Sequence, residues 1–253
     1  MDSKRWNKKA QVTIFIIVAI VIIAVGILIY YFYPKIKSTV SAGEKNPQAY
    51  IQECIEKDLR ENLALLCSQG GSFVPTNYIL YNNSPVDYLC YTNSNDAGFC
   101  VVQQPGLQYH IESELKTALD AKLNACVDGM RRNYENRGYE VSVEEGKNMY
   151  EILPGKILIS VNRKTTITKG EDKQMYDKFV VMLNNNLYEL TSISESIIAW
   201  ESELGDSEAT AYMAYYPNIK VEKIATLEGK VYVITDRDTK NKFQFAVRGF
   251  IIK

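Results

Sequence analysis

LQYHIESELKTALDAKLNACVDGMRRNYEN, residues 107–136, decides the fold class of this chain. Leu107, Ile111, Leu115, Leu119, Leu123, Val127, Met130 and Tyr134 recur at steps of three and four, the repeat of one buried helical stripe. Glu112, Glu114, Lys116, Asp120 and Lys122 fall on the other faces, and Gly138 supplies the residue without Cβ that ends such a helix. On either side the pattern turns to short strands. Tyr78–Tyr81 and Val86–Tyr91 flank the turn cluster Asn82-Asn83-Ser84-Pro85, and Phe99–Val102 follows a second cluster at Asn93–Gly98. After Gly138 come Tyr139–Val143, Met149–Leu153, Ile157–Asn162 and Met175–Leu183, the last two read as a hairpin turning at Lys169-Gly170-Glu171-Asp172.

Two further helices frame these strands. Asn46-Pro47 opens the first, with Asn as N-cap and Pro at the first helical position. Ile51, Ile55, Leu59, Leu63 and Leu66 give its stripe, and Gly70-Gly71 closes it. Leu187–Leu204 is the third helix, with Leu190, Ile193, Ile197 and Trp200 on one face. Lys220–Ala225, Val231–Thr235 and Phe243–Ile252 return to strand, the last two as a hairpin across Asp236–Asn241. About three helices bracketing antiparallel strands predict an α+β domain over 47–253. A sub-boundary near Gly138 would separate a cysteine-bearing helical part from a cysteine-free, strand-rich part, although the third helix suits either.

Upstream, Val12–Tyr33 is an uncharged apolar run broken only by Thr13 and Gly26. A helix needs about 20 such residues to cross a hydrocarbon layer of about 30 Å, so 11–33 is expected to be a transmembrane helix. Lys4, Arg5, Lys8 and Lys9 precede it and only Lys35 and Lys37 follow closely, which predicts a cytoplasmic basic leader at 1–10. The expected location is the cell membrane, single-pass, with a polar tether at 34–46 and the C-terminal domain outside. A cleaved secretory signal fits less well, because the apolar run exceeds the usual signal core and Val40-Ser41-Ala42 lies far beyond it.

Lys8-Lys9-Ala10, followed by Gln11-Val12-Thr13 and a long apolar segment, resembles the class III signal peptide of archaeal type IV pilin-like proteins. The resemblance covers about the first 33 residues. It implies cleavage between Ala10 and Gln11 and packing of residues 11–33 against copies of the chain or other pilin-like subunits. Phe15 stands where many bacterial pilins carry Glu. A domain spanning 47–253 is large for a major pilin, which favours a minor or assembly-related subunit.

The five cysteines all follow the apolar run. Outside the cytoplasm thiols tend to pair. Cys54 and Cys126 lie beside the stripes of the first two helices, and Cys90 and Cys100 flank one turn, so bridges Cys54–Cys126 and Cys90–Cys100 are expected, leaving Cys67 over, although five cysteines with one free still allow fifteen arrangements. Neither Cys-x-x-Cys nor His-x-His spacing occurs, so no metal or other cofactor is expected. With His110 the only histidine, catalytic arrangements built on imidazole have one candidate and no nucleophile-elbow glycines. The acid pairs Glu112/Glu114 and Glu201/Glu203 sit opposite apolar stripes and read as solvated faces. Asp236-Arg237-Asp238 starts like a calcium loop but places Lys240 and Val247 at ligand positions, so a hairpin turn is the better reading. Asn82-Asn83-Ser84 is an N-glycosylation sequon on a turn.

Formal net charge is −1, and residues 1–10 hold four bases against one acid, so the remainder is acidic and unsuited to nucleic acid. The one hint of recognition is tyrosine: Tyr78, Tyr81, Tyr88 and Tyr91 on neighbouring strands, and Tyr212, Tyr215 and Tyr216 near the end. No small-molecule ligand is indicated. The expectation is a non-enzymatic surface protein, either a pilin-like subunit or an anchored receptor or adhesin, with an extracytoplasmic enzyme third.

Overall fold

Local signals account for each helix boundary. In the computed structural model, which describes residues 18, 21–24, 46–93 and 99–249, helix α1 (Pro47–Ser68) starts where the Asn46 side chain accepts the Ala49 amide at 2.6 Å. It ends where Gly71 N–H bonds back to Leu66 O at 2.8 Å. Gly71 has φ +95°, and a Cβ there would lie 3.0 Å from Ile111 Cγ1. A side chain is thus excluded by both backbone conformation and packing. Helix α2 (Leu107–Glu135) follows its predicted stripe, helix α3 (Leu187–Leu204) buries Leu190, Ile193 and Ile197 but not Trp200, and a short α4 (Ala209–Tyr215) was not legible from periodicity.

The domain is α+β and sheet-rich. Twelve strands among the described residues form three sheets. The largest runs β1 (Tyr78–Tyr81), β2 (Ser84–Tyr91), β12 (Lys242–Arg248), β11 (Lys230–Asp236), β10 (Ile219–Ala225), with β3 (Val101–Val102) also pairing with β2. Its β2–β12 pairing is parallel, which corrects the all-antiparallel expectation. Such a pairing needs a long crossover, here most of the domain. On β11, Tyr232 and Ile234 face the main core, while Val231 and Val233 face a smaller cluster with Ile79, Val86, Tyr88 and Ala246. Both faces are covered, so the strand is apolar throughout.

A second sheet, β5 (Asn148–Leu153), β6 (Lys156–Val161), β9 (Phe179–Asn184), packs Ile157, Ile159, Phe179 and Val181 into the main core. The third runs β4 (Glu140–Val143), β7 (Thr165–Lys169), β8 (Asp172–Tyr176), and the single strand expected over Met175–Leu183 is divided between β8 and β9. β8 and β9 belong to different sheets, and the turn at 169–172 joins β7 to β8.

The edge of β9 is closed by α1. Gln48 accepts from Val180 N–H at 3.0 Å and donates to Val180 O at 2.5 Å; Gln52 does the same with Met182 at 3.0 and 3.1 Å. Two glutamine amides so imitate a neighbouring strand and cover backbone groups that would otherwise template pairing with another chain. Main-core residues run from Ile51 to Val247 and lie on both sides of Gly138.

The chain divides into two units, Met1–Glu44 and Lys45–Lys253. The expected N-terminal transmembrane helix, and with it the single-pass cell-membrane location, is corrected: among the described residues no helix is long and apolar enough to cross a membrane. Of 11–33 only Val18 and residues 21–24 are described, and these are helical and exposed. The remainder of that stretch, and Ala10 and Gln11, lie outside the described residues.

Candidate functional site

Helix α1 carries Cys54 and helix α2 carries Cys126 on their facing sides, and the two are bridged with Cα atoms 5.9 Å apart. Cys90 and Cys100 are bridged across the connection from β2 to β3, with Cα atoms 5.2 Å apart. Cys67 is unbridged and half-buried, and burial pushes its thiol up to about 12, away from nucleophile or metal-ligand chemistry. Among the described residues no group of three His, Cys, Asp or Glu is arranged to hold a metal ion.

His110 does meet a serine and an aspartate. Ser72 Oγ lies 3.0 Å from His110 Nε2 and donates to Asp87 Oδ2 at 2.9 Å. In a hydrolytic relay the imidazole stands between carboxylate and hydroxyl. Here the buried hydroxyl stands between the other two, so its proton is committed to the carboxylate. Burial raises the Asp87 carboxyl, with Ser72 and His110 opposing it. Glu114 accepts the Phe73 amide at 2.8 Å in the same cluster, which ties the loop after α1 to α2 and β2. Ser72 and Asp87 carried no signal in sequence, because they reach His110 only through the fold.

The acid pairs are corrected from solvated faces to anchors at three of four positions. Glu112 accepts the Ile152 amide at 2.7 Å, and Glu114 that of Phe73. Glu201 is 1% exposed and takes Lys230 Nζ at 2.7 and 2.9 Å, Ser207 N–H at 3.2 Å and the Tyr232 hydroxyl. Only Glu203 is exposed. Trp200, expected in the stripe of α3, is exposed, and Glu201 occupies the buried position beside it. Asp236 Oδ1 accepts the amides of Asp238 and Thr239 at 2.7 and 2.9 Å, the geometry of a hairpin turn. Asn82 is exposed at the tip of the β1–β2 hairpin, with φ +48°.

The tyrosines separate into two populations. Tyr88 is buried, donates to Glu228 O at 3.1 Å and packs 5.1 Å from the Tyr91 ring, so Tyr81, Tyr88 and Tyr91 cover the outer cluster of the large sheet, while Tyr78 is exposed. Tyr212 meets Ser196 Oγ at 2.9 Å and packs against the main core. Tyr215 and Tyr216, 82% and 53% exposed, lie at the end of α4. With Tyr188, Glu189 and Pro217 they line a cleft of about 400 Å³ between α3 and the α4–β10 connection. Glu189 Oε1 accepts the Gly155 amide at 3.0 Å, while its Oε2 is buried without a partner among the described residues. No known protein family, curated protein or solved structure matches this chain.

Proposed function

We propose that this chain is a non-enzymatic, pilin-like surface subunit, minor or assembly-related, matured by cleavage between Ala10 and Gln11. Residues 11–33 join it to copies of itself or to related subunits, and the disulfide-stapled domain is the displayed head. The observation that carries the reading is Lys8-Lys9-Ala10-Gln11-Val12-Thr13 with its apolar continuation, in a chain whose next domain holds two disulfides, chemistry suited to an oxidising compartment. Intact-mass measurement of the protein from its native host tests it. Loss of residues 1–10 is expected, and retention of Met1 or Asp2 overturns the pilin-like reading.

A second reading, a receptor or adhesin, is favoured by the exposed Tyr215 and Tyr216 at the cleft. The two separate by assembly: a filament subunit self-associates only when residues 11–33 are present, and a solitary receptor does not. Hydrolysis of a generic ester, peptide or glycoside by the intact chain would overturn both in favour of an enzyme.

A further inference from the structure

The second half of α1, the end of β9, the start of α3 and the β11–β12 turn enclose a cleft of about 410 Å³ whose lining has a composition unlike the rest of the domain. Residues 46–253 carry more carboxylates than cations, yet the charged side chains lining this cleft are Arg60, Lys240 and Lys242, with no Asp or Glu among them. Arg60 is already paired with Glu56 at 2.7 Å, so the net positive charge comes from the two lysines. Lys240 donates to Arg237 O at 2.5 Å, which holds its ammonium at the turn. Lys242 is exposed on the first residue of β12. The C-terminal end of α1 would repel an anion here, but Gln244 donates to Ser68 O at 2.5 Å and covers that carbonyl. Beside the cations the lining is mixed: Ser68, Asn185, Asn241 and Gln244 are polar, while Ala64, the half-buried, unbridged Cys67 and the edges of the almost fully buried Leu63, Leu183 and Leu190 are apolar.

We propose that this cleft binds a small organic anion with an apolar body. Its carboxylate lies against Lys240 and Lys242, and its body against Leu63, Leu183 and Leu190. The volume matches sites for molecules of that size, and a cation pair beside a partly apolar wall discriminates by charge at one end and by desolvation at the other. This site is separate from the tyrosine cleft and independent of how the chain assembles.

The test is an NMR titration of the full chain with sodium octanoate, following the backbone amides of Leu63, Cys67, Asn241 and Gln244. Saturable shifts confined to this cleft are expected, with affinity at least about fivefold weaker in about 0.5 M NaCl than at low salt. Octanol should produce less than about one-fifth of the shift at equal concentration. The variant Lys240→Gln/Lys242→Glu should lose saturable binding while its melting temperature stays unchanged. Absence of saturable shifts, equal response to octanol, or an affinity indifferent to salt overturns the proposal. The last two comparisons use the unaltered chain, so they decide the matter even if the variant fails to fold.

Discussion

Glu201 shows how one residue can oppose its own helical pattern. It sits one position beyond Trp200, whose indole the periodicity of α3 would bury, yet the carboxylate is inside and the indole outside. The reason lies on β11: Lys230 and Tyr232 point at the C-terminal end of α3, and with Ser207 N–H they satisfy the carboxylate. Lys230 also donates to Gly205 O at 2.8 Å and Asp206 Oδ1 at 2.7 Å. Removing one partner of a buried pair leaves the other charge uncompensated, so Lys230→Met should destabilise by about 3–5 kcal/mol in urea unfolding. Cys67 gives a pH prediction. Its thiol, ordinarily near 9.0, is pushed up to about 12 by burial. The group is protonated in both states below pH 9. Above that the unfolded chain releases the proton and the folded one retains it, so stability falls as pH rises from 9 towards 12. Tyr232 and Tyr150, raised by burial and by neighbouring carboxylates, extend the loss upward. Cys67→Ala should flatten the lower part of that decline in melting temperature against pH.

At the scale of elements, the Cys54–Cys126 bridge joins two helices already packed through their apolar stripes. Its value therefore resides chiefly in the unfolded chain. Closing a loop of sequence separation 72 removes enough chain entropy to be worth about 4 kcal/mol in the entropic account. Cys54→Ala/Cys126→Ala should lower stability by up to that amount with secondary structure retained, as read by denaturant unfolding and far-UV circular dichroism. The glutamine cover on β9 works differently, by occupying edge amides and carbonyls at Val180 and Met182. Gln48→Ala/Gln52→Ala should leave most of the stability intact but raise concentration-dependent association by light scattering, because the freed edge accepts another strand.

For the molecule as a whole, the parallel contact between β2 and β12 is the closing step. β12 lies between β2 and β11, and its Phe243, Phe245 and Val247 enter the same core as Ile51 and Leu115. The described residues from 46 onward therefore share a main core, with the smaller cluster on the opposite face of the same sheet, and 46–253 should fold alone, with a single cooperative transition by calorimetry. Truncation after 241 should abolish that transition, since it removes the strand that the six-stranded sheet is built around. A piece 46–253 that stays unfolded would show that residues 1–45 belong to the core.

Sequence alone determined the parts of this protein that depend on near neighbours. Helices α1, α2 and α3 were legible because a stripe repeats within one element and its caps lie within a turn of its ends: Asn46, Gly71 and Gly138. The cysteine pairs were expected because each Cys sat beside a stripe or turn, but the choice among fifteen arrangements was made by the packing of α1 on α2 and of β2 beside β3. The tyrosine hint was readable only as composition; which rings are exposed at the cleft depended on packing. Tertiary structure alone decided the rest. It sent β7 and β8 to a separate sheet, set β12 parallel to β2, buried Glu201 in place of Trp200, and brought Ser72, Asp87 and His110 together. It also gathered Arg60, Lys240 and Lys242 around one cleft. In each case the partners are distant in the chain, and the energy that selects them is burial and hydrogen bonding between elements, which no local period encodes.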